Sequence, residues 1–221
     1  MISKMNFLDR LQRLIDEENE LQNSNINFKK WFGNSKVVDK YGNPLVVYHG
    51  SGAIENIRSF YDDQFFTSND YIAQSYAENM GGKVYEVYLK ITNPLDFTID
   101  CKLDREKIIQ EVYGINSIQY KNFERYSDGY GLGNALQGDF SKLIKYAKQH
   151  GYDGIKFTDS SFDNQIFDIT YIVFKSNQIK SINNNGNFNS NSDNINEDIT
   201  LNREKKTASI DSNINFKKWC R

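Results

Sequence analysis

Apolar residues recur along this chain with two periods, and the switches between them mark its elements. Over 6–21, Phe7, Leu8, Leu11, Leu14, Ile15 and Leu21 fall mostly three or four residues apart among Asp, Glu and Arg. That spacing predicts an amphipathic helix, used for packing or as a linker. Stretches 36–39 and 44–49 read as strands joined by the turn Lys40-Tyr41-Gly42-Asn43, and Gly50-Ser51-Gly52 breaks the second. Phe65-Phe66 is the core of a short strand. A helix is expected over 70–80, with Asn69 or Asp70 at its N-cap and Gly81-Gly82 at its end. Period two returns over 83–91, where Tyr85, Val87, Leu89 and Ile91 share one face until Asn93-Pro94.

A further helix is expected over 104–113, a long Gly/Tyr/Asp/Ser loop over 126–138, and a helical stripe of Phe140, Leu143, Ile144 and Ala147 up to Gly151. Runs 154–157 and 169–174 are the last strands, and the Asn177-Gln178-Ile179-Lys180 end is expected at the surface. Short strands mixed with helices, without regular alternation, favour an α+β domain. The expected organisation is a helix or linker over 1–24, a domain over 25–182, and an Asn-rich linker over 183–211, too polar to fold alone. The segment 212–221 begins with an octapeptide, Ser212-Asn213-Ile214-Asn215-Phe216-Lys217-Lys218-Trp219, that repeats 24–31 letter for letter. It reads as the truncated start of a second tandem unit, or as a short motif used twice.

Composition narrows the field. A chain of 221 residues, 38% hydrophobic, suits one domain with extra segments. A net charge of -2 without a basic stripe gives no footprint of nucleic-acid binding. Cys101 and Cys220 lie far apart, so no disulfide framework is indicated and a cytoplasmic, reducing compartment is expected. His49 and His150 are the chain's two histidines, and no metal cluster is expected. No run approaches the roughly 20 apolar residues of a membrane span, so no membrane association is expected, and a monomer is.

Three stretches hold candidate chemistry. In Val46-Val47-Tyr48-His49-Gly50-Ser51 an apolar strand delivers an imidazole, then a residue without Cβ through which a ligand could approach the main chain. Read alone, His49 is as well a half-buried structural histidine. In 65–77, Tyr71 and Tyr76 point in different directions, and Ala73, Tyr76 and Ala77 share a face, so the Tyr76 ring could lie against something flat or simply pack. The third is Gly151-Tyr152-Asp153-Gly154-Ile155 with the strand Tyr171-Ile172-Val173-Phe174, most of which reads as sheet core. Gly129-Tyr130-Gly131-Leu132-Gly133 lacks the Lys-Ser/Thr of a phosphate loop, and no Gly-x-Ser-x-Gly elbow occurs.

Taken together and in this order, these stretches resemble the ADP-ribosyltransferase domain of bacteriophage polyvalent proteins and related phage-borne toxins. The resemblance covers about 28–181. It implies a split pair of small, mainly antiparallel sheets with flanking helices, enclosing NAD as substrate, with no metal. It implies that His49 bonds a ribose hydroxyl, that the Gly50 main chain grips the carboxamide, that Tyr76 stacks on nicotinamide with Tyr71 nearby, and that Ser51 supports the ribose or the turn. The family's glutamate falls at Thr170 here. Thr supplies no charge, so Asp168, two residues earlier on the same strand face, is the candidate replacement; Asp163 and Gln165 are more distant ones. The implied activity is mono-ADP-ribosyl transfer from NAD to a protein or nucleic acid of a bacterial host, after delivery with phage or plasmid DNA. NAD hydrolysis and a catalytically impaired NAD-binding or interaction domain are the alternatives.

Overall fold

A computed structural model describes residues 7–53, 57–125, 131–160, 166–184 and 186–197. The second copy of the octapeptide, together with Asp163 and Gln165, lies outside the described residues.

The first helix, α1 (Phe7–Phe32), is longer than the apolar spacing predicts and runs across the boundary expected at 24/25. Its apolar stripe is largely unpacked: Leu8, Leu11, Leu14, Ile15 and Leu21 are all exposed. Its last turns hold it to the domain. Phe28, Trp31 and Phe32 pack with Tyr88 and Phe188, and the Trp31 Nε1–H donates to the Asn177 carbonyl at 3.4 Å. The first copy of the octapeptide is thus the anchor of the helix, with Lys29 and Lys30 at its negative C-terminal end.

The strands are β1 (Val47–Ser51), β2 (Gln64–Thr67), β3 (Lys83–Leu89), β4 (Pro94–Asp96), β5 (Gly154–Ser160), β6 (Phe167–Val173) and β7 (Ile179–Ser181). Among the described residues they form one seven-stranded sheet in the order β4-β5-β6-β2-β1-β3-β7. All neighbours are antiparallel except β4 and β5. The segment 36–39 contributes only an isolated bridge, Val38 to Pro44. The split in the sheet falls between β1 and β2, which share a single register pair, Tyr48 with Thr67. On either side of it the ladders are longer: β2 pairs β6 from Gln64 to Thr67, and β1 pairs β3 from Val47 to Ser51.

Helices α2 (Asp70–Asn79), α3 (Arg105–Tyr113), α4 (Ile118–Arg125), α5 (Leu132–Ala135) and α6 (Ser141–Gln149) complete the domain. One core lies under α3 to α6, built on Leu95, Ile155, Phe157 and Ile172 of the sheet. The other holds Val47, Phe66, Val87, Tyr171 and Val173. Of the loop expected over 126–138, residues 126–130 lie outside the described residues, and the rest is helical in part, because Leu132, Ala135 and Leu136 are drawn into the first core. Asp153 ties the β3–β4 corner to β5: its carboxylate accepts from Thr92 N and Asn93 N, each at 2.7 Å.

Two expectations about the C-terminal part do not hold. Ile179 and Lys180 are fully buried, not at the surface, since β7 adds to the sheet beside β3. Residues 183–184 and 186–197, expected as part of a free linker, fold back onto the sheet. Lys180 Nζ donates to the carbonyls of Ser192 and Asn194 and pairs with Glu197 at 2.8 Å, while Glu197 also accepts from Asn189 N at 2.7 Å. Phe188 and Ile195 are buried with them. A polar stretch orders here because a buried cation consumes its carbonyls.

Candidate functional site

Past the Tyr48–Thr67 pair, β1 and β2 stop pairing, and the His49 side chain makes a bond across the gap. Its Nδ1 lies 2.7 Å from the Phe65 carbonyl oxygen. A carbonyl can only accept, so Nδ1 carries the proton, and in the neutral ring Nε2 is left as an acceptor. Burial pushes the His49 pKa below its ordinary value of 6.5, against the opposing pull of the Phe65 carbonyl. The ring is therefore neutral at pH 7. Phe60 and Phe66 pack against it with centroids at 5.1 and 5.3 Å. A half-buried neutral acceptor at the mouth of a sheet split is fit to receive a hydroxyl.

Helix α2 covers this strand closely. Asn69 caps it, its side chain accepting from Tyr71 N at 3.0 Å. Gly50 is required by that packing: a Cβ there would stand 2.1 Å from the Ala73 carbonyl oxygen and 2.9 Å from Ala77 N. The absent side chain lets a helix, rather than a ligand alone, reach the strand. Ala73 and Ala77 are buried at this contact, and Tyr76, one position along, is 37% exposed. Its hydroxyl is held above its ordinary pKa, first by burial and then by the charge of Asp159.

His49, Gly50 and Tyr76 line one cavity of about 530 Å³, whose other walls include Phe65, Phe140 and Gln137. That volume is within the usual range for small-molecule sites. Thr170, 4% exposed, also lines it. Among the described lining residues there is no Lys or Arg.

Asp168 is not brought to the cavity. One carboxylate oxygen accepts from Ser68 Oγ at 2.8 Å and Ile169 N at 2.7 Å, and the other from Asn69 Nδ2 at 3.3 Å. These bonds fix the turn that starts α2. Tyr71 is 52% exposed and lies in a separate crevice with Tyr48 and Gln74. Ser51 is outside the cavity lining, and its hydroxyl accepts from Ala53 N at 3.1 Å, which supports the turn.

Asp159, which no motif in the sequence singles out, does line the cavity. It sits directly across from Asp168 in the β5–β6 ladder, and Thr170 pairs with Phe157. Ile155 and Phe157 are core residues of β5, so Asp159 continues their face as a carboxylate. That alternation was available in the sequence, had the strand been carried two residues beyond Phe157. Among the described residues no three or more His, Cys, Asp or Glu side chains gather as a metal site. No helix there is long and apolar enough to cross a membrane.

The family described as ADP-ribosyltransferase in polyvalent proteins matches residues 39–188, a span that holds all seven strands and the whole cavity. No curated protein and no solved structure matches the chain.

Proposed function

The chain belongs to the family of ADP-ribosyltransferases in polyvalent proteins, and on that premise we propose that the cavity beside His49 binds NAD and transfers its ADP-ribose to an acceptor macromolecule. The observation that carries this reading is the meeting of a neutral imidazole acceptor, a strand edge and a tyrosine ring in one cavity at the sheet split. Tyr76 would stack on the nicotinamide ring, and main-chain groups of Gly50, on the side of β1 no longer paired with β2, would hold the carboxamide. His49 Nε2 would accept from a ribose hydroxyl. With Asp159 and no Lys or Arg among its described lining residues, the cavity suits the positively charged nicotinamide–ribose end, and the pyrophosphate would lie towards the mouth.

In the reaction, the bond from ribose C1′ to the ring nitrogen breaks and its electron pair stays on nitrogen, so nicotinamide leaves neutral. Positive charge passes to the ribose. An acceptor oxygen or nitrogen attacks C1′ and loses its proton to a base or to solvent. The chain's share is to fix the leaving group and present C1′ to the acceptor. The family supports ADP-ribosyl transfer in general. A protein or nucleic acid of a bacterial host, met in the cytoplasm, is the acceptor class we propose.

Thr170 favours a second reading. A neutral hydroxyl standing where the family carries a carboxylate would leave a domain that holds NAD without turning it over. The two separate on one experiment: incubation with adenine-labelled NAD and a bacterial lysate. Label on a lysate macromolecule supports transfer, whereas free nicotinamide and ADP-ribose without such label show hydrolysis. A rise in melting temperature with neither product would establish the binding domain and overturn the transferase.

A further inference from the structure

We propose that Asp159, on β5, supplies the carboxylate for this site in place of the glutamate that Thr170 replaces. The inference rests on the reading of the cavity as an NAD site. Three observations lead to it. Asp159 lines the cavity together with Tyr76 and Thr170, whereas Asp168 does not. The two aspartates face each other across the β5–β6 ladder, and the oxygens of Asp168 accept from Ser68, Asn69 and Ile169 at the start of α2, outside the cavity. Asp159 and Thr170 are diagonal neighbours on one sheet face, roughly 7–8 Å apart. A carboxylate at either position therefore serves the same end of the cavity from an adjacent strand.

The surroundings of Asp159 match the task. It lines the same cavity as the ring proposed to stack on nicotinamide, and after burial its charge is the second cause that holds the Tyr76 hydroxyl above its ordinary pKa. One oxygen lies where a Cβ on Gly133 would come within 2.9 Å, so Gly133 leaves the space in which that carboxylate sits. Tyr120, Glu106 and the other acidic groups of α3 and α4 do not line the cavity. Asp159 and His49 are therefore the ionisable groups, besides the two tyrosines, among its described lining residues. The role follows from charge. As the C1′–N bond breaks, positive charge develops on the ribose, and a fixed carboxylate at hydrogen-bond distance from a ribose hydroxyl stabilises that state more than the ground state. No bond to Asp159 forms; the proton of the acceptor can pass to it as C1′ is attacked.

The test is Asp159→Asn in the full chain, read by nicotinamide release and by NAD binding in calorimetry. The expected result is a 10²–10³-fold loss in kcat with KM changed less than about threefold, in keeping with a general base or a charge used only in the transition state. Adding Thr170→Glu to Asp159→Asn is expected to restore at least tenfold of the loss, which a merely structural Asp159 would not allow. Unchanged turnover in Asp159→Asn overturns the assignment and leaves the NAD site standing. An equal loss in Asp168→Asn, with Asp159→Asn active, moves the role to Asp168 and overturns it as well. Wild-type protein that binds NAD without releasing nicotinamide also overturns it. A wild type that binds no NAD at all overturns the site reading itself.

Discussion

Replacing Gly50 with alanine tests how the fold delivers the site. The added Cβ would stand 2.1 Å from the Ala73 carbonyl oxygen and 2.9 Å from Ala77 N. A carbon–oxygen contact closes to about 3.3 Å at best, so β1 and α2 must separate by roughly 1 Å. Both clashing atoms are backbone, so no side-chain rotation relieves them. Overpacking of this kind costs about 1–3 kcal/mol, which for a chain of this size lowers Tm by roughly 2–12 °C. The larger effect is on function, because α2 carries Tyr76 and β1 carries His49. A 1 Å misplacement of a positioning group is worth about 100-fold in rate. The assay is thermal unfolding followed by circular dichroism, beside NAD turnover at a temperature where the variant is folded. Gly81→Ala is the control. Its methyl meets nothing within 4 Å, but φ of +67° strains it, at about 1–2 kcal/mol. It should lose comparable stability and keep turnover. Gly50→Ala with wild-type stability and wild-type turnover would refute the reasoning.

Other consequences follow from the same geometry. Protonating His49 removes the Nε2 acceptor, so NAD affinity should fall as pH drops through its lowered pKa. Because the folded pKa lies below the ordinary 6.5, stability tied to this group is complete above about 6.5 and declines as pH falls below it; His49→Gln should flatten both profiles between pH 5 and 8, as read by calorimetry and by Tm. Tyr76→Phe should bind NAD nearly as wild type, while Tyr76→Ala loses about 1–3 kcal/mol of stacking, a roughly 5- to 150-fold rise in Kd; equal affinity in the two variants would contradict stacking. Removing one partner of the buried Lys180–Glu197 pair, as in Lys180→Met or Glu197→Gln, should cost about 3–5 kcal/mol in urea unfolding, and a cost under about 1 kcal/mol would show the 183–197 segment to be dispensable.

Much of this fold was legible in the sequence because its elements are locally encoded. Asn69, the Ala73/Ala77 face and Gly81-Gly82 delimit α2, and the alternation of Tyr85, Val87 and Leu89 marks β3. What escaped depended on contacts distant in sequence. Strands β4 and β7 are only three residues each and exist through their partners β5 and β3. The segment 183–197 reads as linker by composition, and nothing local announces that Lys180 lies buried beneath it, needing its carbonyls and Glu197. At the candidate site, residue type and spacing leave His49 and Tyr76 open between packing and ligand roles; only the resemblance singles them out, and the structure brings both to one cavity. Choosing between carboxylates was not a local matter: Asp168 has the better position in the chain, yet Ser68 and Asn69 claim it, and Asp159 reaches the cavity from the neighbouring strand.

The central claim, that the cavity at the sheet split is where NAD is bound and cleaved, is met most directly by nicotinamide release from NAD with the wild type, His49→Ala and Tyr76→Ala side by side. The account predicts release by the wild type and its loss in both variants while each remains folded. Release that continues undiminished in both, or a wild type that neither releases nicotinamide nor is stabilised by NAD, would contradict it.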